Sequence, residues 1–316
     1  MQSVGYSEKM TPIRWAFLVS LIVLSIISLS ATFTGAKDGK TDNDTEYLLR
    51  YKFSPKEELV WRVDHLNFVD ASVQKVEKSA KTGSISKKVW RVKELLSNGN
   101  VIFEHIVTAI NMTQKLSGSQ PMNYNSEVHK SAPPGYADIE KCIGKVLTVV
   151  EMDPQGKIVR HEKKDVSHAS TAGSGYMTIP LPEKKMKVGG EWSEAHNMTV
   201  VDENKKFLII KSRQTFRLAK VEKGIAEIWV STIMLSPFRN NPKVYAQVAP
   251  RLASGKVYFD VAKGKVIAQQ MRLNESIVDA AGHASNVKYE TDFEETLLKA
   301  DGTWVANLLH GEETKK

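Results

Sequence analysis

The chain has 316 residues, of which 41% are hydrophobic, 25% are charged and a single one is cysteine. This apolar content suffices for a real core, which excludes a disordered chain. One cysteine permits no internal disulfide, and Cys142 is predicted to be a small buried side chain entering a strand. The net charge of +8 favours acidic surfaces, but the lysines lie in scattered pairs near acids, so no nucleic-acid partner is predicted.

Residues 1–36 have the pattern of an export signal. A polar start carrying Lys9 and Arg14 precedes an apolar run from Trp15 to Leu29, and small residues follow up to Ala36. Extending the apolar run at both ends gives about the 20 residues of a membrane span, so cleavage and retention as a signal-anchor both stay open. Both alternatives predict an exported protein of the periplasm, cell envelope or medium, which meets the membrane only through this segment. A lipid anchor is excluded because no cysteine follows the apolar run.

Alternation of apolar and polar residues dominates from Tyr47 onward and predicts an almost entirely β-sheet protein. The predicted strands are 47–53, 59–69, 88–96, 100–110, 145–152, 157–161, 216–221, 225–234, 256–261, 265–273 and 285–298. Turn sequences such as Asn98-Gly99 and Asp153-Pro154-Gln155-Gly156 join neighbouring strands. One short helix is predicted within 240–251, and 116–135 and 166–182 are predicted to be long loops.

The order of these elements predicts an internal duplication. A strand bearing a tryptophan is followed by two hairpins with glycine turns, first after Trp61 and again after Trp192. The predicted fold is therefore mainly β, with curved antiparallel sheets in two duplicated half-barrel-like units behind an N-terminal signal or anchor helix. The predicted divisions are a signal or anchor at 1–36, a linker at 37–46, β units at 47–175 and 176–300, and a C-terminal tail at 301–316.

Three segments carry a resemblance to a known family: LLRYKFSPKEELVWRV from Leu48, IPLPEKKMKVGGEW from Ile179 and GKVYFDVAKGKVIAQQ from Gly255. In them the chain resembles an uncharacterised family of exported bacterial β-proteins of planctomycete-type genomes, over about residues 47–300. That resemblance implies no activity, cofactor or site residue. In architecture the family is similar to the half-barrel periplasmic lipoprotein carriers, from which this chain departs by its missing lipid-anchoring cysteine and its apparent duplication. Function does not follow from such a likeness of fold.

The sequence contains no catalytic, cofactor-binding or metal signature, so no site residues and no cofactor are predicted. The histidines considered are His65, His105, His129, His161, His168, His196 and His283, and they show none of the spacings of a local metal site. The segment Gly173-Ser174-Gly175 lacks the spacing of a nucleophile elbow. The pairs Glu57-Glu58 and Glu294-Glu295 are interpreted as charged ends of turns or strands, and the second pair as a guard of a sheet edge.

The predicted function is that of a non-enzymatic exported protein that binds an apolar or amphiphilic ligand, such as a lipid, on a concave sheet. The loops 116–135 and 166–182 are its predicted lid. The alternative is a structural or protein-interaction module of the envelope, with a protein partner and no small-molecule pocket. An enzyme assembled from dispersed residues is a third hypothesis. The tryptophans Trp61, Trp90, Trp192, Trp229 and Trp304 are predicted to pack mostly in the core.

Overall fold

The computed structural model describes residues 25–26, 45–73, 76–164, 178–195, 197–202, 205–236, 241–249, 251–280 and 283–303. Its strands are β1 Ser25–Ile26, β2 Glu46–Tyr47, β3 Glu58–Val73, β4 Val76–Leu95, β5 Val101–Leu116, β6 Met122–Asn125, β7 Val146–Met152, β8 Ile158–Lys163, β9 Met186–Lys187, β10 Glu191–Ala195, β11 Met198–Val201, β12 Phe207–Ile210, β13 Ser212–Glu222, β14 Ile225–Met234, β15 Arg251–Leu252, β16 Ser254–Asp260, β17 Lys265–Val278 and β18 Ser285–Leu297. A 3₁₀ turn Pro134–Tyr136 leads into helix α1 Ala137–Cys142, and helix α2 is Pro242–Val248.

Twelve of the strands form one antiparallel sheet, which confirms the prediction of a mainly β fold. Its order is β10-β13-β14-β16-β17-β18-β3-β4-β5-β7-β8, with β6 beside β5. The chain enters this sheet in the middle at β3, runs outward to β8, crosses to β10 and returns until β18 pairs with β3. Three small pairs stand apart: β11 with β12 and β2 with β9 are antiparallel, and β1 with β15 is parallel.

The sheet is curved, but it is not closed. The two strands at its ends, β8 and β10, are not hydrogen-bonded neighbours. Eleven flat strands spaced about 4.8 Å apart would separate these edges by about 48 Å. Instead Lys157, just before β8, places its Nζ 3.2 Å from Glu194 Oε1 on β10. The gap between the edges holds the segment 178–182, where Leu181 N donates to Gln155 O and Pro180 O accepts from Trp192 Nε1.

One face of the sheet packs against the core. Along β3 the odd-numbered residues Trp61, Val63, Val69 and Ala71 are buried, as the period-two pattern requires. The core cluster to which they belong draws residues from both predicted β units, from Leu49 to Leu297. The core positions predicted for Trp61 and Trp90 are confirmed. Trp192 is only partly buried, stacked on Phe216.

Trp229 is an exception to the prediction that the tryptophans lie in the core. Its cross-strand partner on β13 is Arg217, which is exposed. The Trp229 ring has the Arg217 guanidinium 5.9 Å away and Lys256 Nζ 5.7 Å away, and its indole N–H donates to Glu227. Trp229 therefore belongs to a half-buried charged cluster, because its strand phase points it away from the core. Trp304 lies outside the described residues.

The prediction of a strand over 47–53 is wrong beyond Tyr47. Instead of pairing with one strand, it bonds to two hairpin turns: Tyr51 N donates to Pro154 O and Lys52 N to Gly264 O, each at 3.0 Å. These are the turns between β7 and β8 and between β16 and β17. A segment shared between two turns has no continuous ladder, so it stays extended without becoming a strand.

Other differences have local causes. The predicted loop 116–135 contains β6, which pairs with β5 through Met112 and Tyr124. Cys142 is buried as predicted, but it ends helix α1 and its thiol donates to Asp138 O, so the predicted strand position is wrong. The hairpins around Asn98-Gly99, 153–156, 223–224 and 263–264, the helix within 240–251 and the final strand are confirmed.

Several predicted parts of the chain cannot be compared with the structure. Apart from 25–26, the predicted signal or anchor is outside the described residues, as are most of the linker, 165–177 and 304–316. Among the helices that are described, none has both the length and the hydropathy of a membrane span. The duplication and the domain divisions stay predictions.

The docking of residues 50–52 on the β16–β17 turn can be tested at Gly264. Gly264 has φ +65, and a Cβ there would lie 2.5 Å from Arg50 O, whereas Gly224, with φ +79, has nothing within 4 Å. Gly224→Ala should lower the free energy of unfolding by about 1–2 kcal/mol through backbone strain alone. Gly264→Ala should cost about 1–3 kcal/mol more, because the segment must move. Urea denaturation of both variants measures the difference, and equal losses would contradict the docking.

Candidate functional site

Two adjoining grooves lie on the face of the sheet opposite the core. The first has a volume of about 410 Å³ and crosses β18, β3, β4 and β5. Its residues fall into cross-strand rows on one face, Asp64 opposite Ile85 and Leu66 opposite Gly83. The second, of about 400 Å³, includes the next row on the same face, Phe68 opposite Lys81. We call the two together the track.

The middle of the track is apolar and open. Leu66 and Ile85 are exposed, although both belong to long central strands. Between them Gly83 leaves a gap, since a Cβ at this position would meet only Leu66 Cδ1, at 3.8 Å. Exposed aliphatic side chains gathered along a groove are typical of a surface that binds something.

The carboxylates at one end of the track are neutralised by arginines. Arg62 Nε lies 2.7 Å from Asp64 Oδ2, and Arg272 Nε lies 3.2 Å from Asp292 Oδ2. The Arg272 guanidinium also reaches Glu294, at 3.9 Å. The hydrogen bond and charge of Asp64 raise the pKa of Arg62 above its ordinary value. Three carboxylates thus share two guanidinium groups, so each acid at this end has a cationic partner and the net charge is about −1.

The other end of the track is positively charged. Lys81 and Lys115 are cross-strand neighbours on β4 and β5, and within the described part of the chain neither forms an ion pair. The nearby acid on β18, Glu290, is already paired with Lys288 at 2.5 Å. The turn 117–120 closes this end. The track thus runs from a compensated acidic end across apolar side chains to two uncompensated ammonium groups.

A second polar feature lies on the buried face of the same strands. Lys88 Nζ is 3.6 Å from Glu295 Oε1, and both side chains are only 1% exposed. Gln269 Nε2 donates to Glu295 Oε2, and Lys88 also lies 5.9 Å from the ring centre of Phe293. Burial raises the pKa of Glu295, and the charge of Lys88 acts in the opposite direction. We call this pair and its neighbours the buried centre.

Two histidines and two tryptophans complete the buried centre. His105 stacks on Trp90 with ring centres 4.7 Å apart, and His65 meets Phe293 edge-on at 5.6 Å. Burial, and then the charge of Lys88, lowers the pKa of His65 to about 4 and that of His105 to about 3, so both rings are neutral at pH 7. The indole N–H groups of Trp61 and Trp90 and the Nε2 of His105 have no hydrogen-bond partner within the described structure.

The buried centre is built for structure rather than for contact with a substrate. Lys88 and Glu295 are closed off from solvent on the packed face, whereas acid–base catalysis requires the groups to reach a bound substrate. Unpartnered polar groups in such a place are usually satisfied by buried water. The interpretation of Glu294-Glu295 as a sheet-edge guard is wrong, because β18 is a central strand and its alternation sends Glu294 to the track and Glu295 inward.

The other residues considered from the sequence do not converge. His129 lies in the turn after β6, where its Nδ1 accepts from Asn125 N, and His161 is exposed on the edge strand β8. Glu57 pairs with Lys265 at 2.8 Å. His168, His196 and the glycine segment 173–175 lie outside the described residues. No group of three metal-binding side chains occurs in the part of the chain that the structure describes.

Comparisons with known proteins give the chain no family. No protein-family model matches it, and no curated protein matches it in sequence. Solved structures similar to it include one on lipid–protein interactions in lipovitellin, with 11% identity and a TM-score of 0.40 over 78% of this chain and 26% of that chain. DynF from the dynemicin biosynthesis pathway of Micromonospora chersina shows 7% identity and a TM-score of 0.20, over 88% of this chain and 97% of that one.

The predicted likeness to lipoprotein carriers is found only weakly. A putative outer membrane lipoprotein-sorting protein domain from Vibrio parahaemolyticus is similar at 8% identity and a TM-score of 0.11, over 78% of this chain and 86% of that chain. The chain spans about a quarter of the length of the lipovitellin chain that it matches. At these TM-scores the similar structures decide neither the fold family nor the function of the chain, and only its own geometry can support a proposal.

The coupling between Lys88 and Glu295 can be measured with a double-mutant cycle. Glu295→Gln keeps a hydrogen-bond partner for Gln269 but leaves Lys88 charged and alone, and should lower the free energy of unfolding by about 3–5 kcal/mol. The double variant Lys88→Met/Glu295→Gln buries no charge and should recover most of this loss. Urea denaturation of the four proteins gives the coupling. Purely additive losses would show that the pair does not interact.

The neutral state of His105 predicts a pH dependence of stability. The unfolded chain takes up a proton at this ring below about pH 6.5, but the folded chain does so only near pH 3, so stability falls as the pH falls through this range. Glu295, with its raised pKa, contributes in the opposite direction. His105→Phe keeps the stacking on Trp90 and removes one such proton. The free energy of unfolding of this variant should therefore fall less between pH 7 and pH 4.5 than that of the unmodified chain, by at most about 1.4 kcal/mol per pH unit. Identical pH profiles of unfolding would contradict the buried neutral ring.

Proposed function

We propose that the chain is a non-enzymatic, exported binding protein that holds an anionic amphiphile along the track. The observation that carries this proposal is the succession of environments on one sheet face: paired acids, then exposed Leu66 and Ile85 with half-buried Phe68, then the ammonium groups of Lys81 and Lys115. An acyl chain fits the apolar middle, and its acidic head group fits the lysines. A fatty acid and an anionic lipid share this chemistry.

The charges decide which amphiphile fits. The acids at the far end are already paired with Arg62 and Arg272, so they offer little to a cationic head group. The lysines are not paired within the described structure, and an anion between them would gain two charge-assisted contacts. The net charge of +8 also favours the approach of an anionic ligand.

The dimensions of the track are sufficient for a small ligand. Each groove of the track, at about 410 and 400 Å³, lies within the range of about 300–1,000 Å³ that is usual for small-molecule sites. On the core side of the sheet, Trp61 and Trp90 pack in the hydrophobic core of the described residues. Of the two predicted lid loops, the first contributes the turn 117–120 to the end of the track. The second lies mostly outside the described residues.

The alternative, a structural or protein-interaction module, predicts that the track binds no small molecule. It would leave the exposed Leu66 and Ile85 to a protein partner. A binding measurement with a defined amphiphile separates the two functions.

Gly83→Val is the most direct test of the track. The new side chain fits a strand conformation, points into the gap between Leu66 and Ile85, and begins at an ordinary contact distance. Laurate binding, measured by isothermal titration calorimetry, should weaken at least about tenfold, which corresponds to about 1.4 kcal/mol. The control is Lys87→Val, which puts the same side chain on the same face and strand outside the track, with Lys87→Gln beside it to account for the lost charge.

The orientation of the ligand is tested by its head group. In the unmodified chain laurate should bind more tightly than dodecylamine, which has the same tail and the opposite charge. Lys81→Gln/Lys115→Gln should remove this preference while leaving a neutral dodecyl amphiphile unaffected. If no amphiphile binds, or if Gly83→Val and Lys87→Val weaken binding equally, the track is not the ligand site and the interaction module becomes the better hypothesis.

A further inference from the structure

The hairpin of β11 and β12 has an apolar face that the core does not use. Met198 pairs with Ile210 and Val200 with Leu208, and Met198, Val200 and Ile210 belong to the core cluster. The opposite face carries Phe207 and Ile209, which are 78% and 65% exposed. Alternation would call for polar residues at these two positions, and the sequence supplies an aromatic and a β-branched side chain instead.

This hairpin is held firmly enough to present that face. It stands outside the twelve-stranded sheet, but Gln247 of α2 binds its outer edge twice: Val201 N donates to Gln247 Oε1 at 2.9 Å, and Gln247 Nε2 donates to Val201 O at 2.7 Å. Arg251 Nη1 donates to Thr199 O at 3.4 Å. Side-chain groups thus replace a third strand along β11, which fixes the direction of Phe207 and Ile209.

Basic residues flank β12, the strand that carries the apolar face. Lys205 and Lys206 precede β12 and Lys211 follows it, and Arg251 and Lys243 lie on the elements packed behind. The acids nearby are Asp202 and, in the sequence, Glu203. The Asp202 carboxylate already accepts from Lys206 N. Positive groups therefore outnumber acids around a protruding aromatic and aliphatic pair.

We propose that the β11–β12 hairpin docks on the surface of an anionic lipid bilayer, with Phe207 and Ile209 inserted among the head groups and the flanking lysines on the phosphates. Apolar side chains with a basic flank are the composition of interfacial membrane contacts, in which shallow burial and attraction to anionic lipid act together. This contact uses other residues than the track and the N-terminal segment, although β1 of that segment pairs with β15 beside the hairpin. It requires no ligand in the track.

The test reports on the hairpin itself, because the N-terminal segment of the full chain can bind membranes independently. Thr199 is exposed and lies opposite Ile209 on the same face of the hairpin, so it can carry a probe without removing either apolar side chain. In a Cys142→Ser background, Thr199→Cys is labelled with an environment-sensitive fluorophore. The full chain is then mixed with vesicles of phosphatidylcholine alone or with about one third phosphatidylglycerol. The control label is at Val128→Cys, an apolar position that is 71% exposed and lies in the turn after β6.

With phosphatidylglycerol vesicles, the label at 199 should shift to shorter wavelength and be quenched by lipid-attached nitroxide, and the label at 128 should not. Phe207→Ser/Ile209→Ser should abolish the response. Lys205→Gln/Lys206→Gln should raise the lipid concentration that gives half of the response about tenfold. A label at 199 that stays in water, or equal responses at 199 and 128, would overturn the proposal. A dimer detected by sedimentation without lipid, in which the label is shielded, would also overturn it. A second copy of the chain would then cover this face.

Discussion

The pairing of β18 with β3 is the interaction on which the rest of the structure depends. Thirteen residue pairs, from Ser285 opposite Val73 to Leu297 opposite Trp61, join the strands of the large sheet that come last and first in the chain. This ladder places Glu295 beside Val63 and within reach of Lys88, and it places Asp292 and Glu294 beside Leu66 and Asp64. Neither the buried centre nor the acidic end of the track exists until these distant parts of the chain meet.

Consecutive residues on these strands serve opposite faces, so the register matters more than the composition. A shift of one residue between β18 and its neighbours would turn Glu294 inward and Glu295 outward, because side chains alternate with a period of two. Lys88 would then stay buried without its partner, which is far more costly than a paired charge. The buried ion pair is a weak source of net stability, but it penalises this alternative register. The track depends on that register for the positions of Leu66, Gly83 and Ile85.

Much of this arrangement could be predicted from local patterns, and the part that could not has a clear physical cause. Turn chemistry located the hairpins, and alternation identified the buried face of β3. The same alternation puts Lys88 in phase with Trp90 and Val92, and Glu295 in phase with Phe293 and Leu297, which was a signal for two buried charges. Because Glu295 is charged, the sequence interpretation placed it at a strand end or sheet edge instead. The choice of β18 as the partner of β3 was not predictable, since it joins residues more than 200 positions apart, such as Asn67 and Thr291.

The excess positive charge acquires a location only in the folded chain. In the sequence the lysines are scattered among acids, and the structure pairs several of them, such as Lys157 with Glu194 and Lys265 with Glu57. Other lysines lie near exposed apolar side chains, among them Lys81 with Lys115 on the track and the lysines that flank β12. Both places combine the same two elements, a cation that is not neutralised and an apolar surface that the core does not need. The two proposals assign an anionic amphiphile to both places, as a single molecule on the track and as a bilayer at β12. A protein that binds such a ligand gains from approaching the surface in which that ligand dissolves.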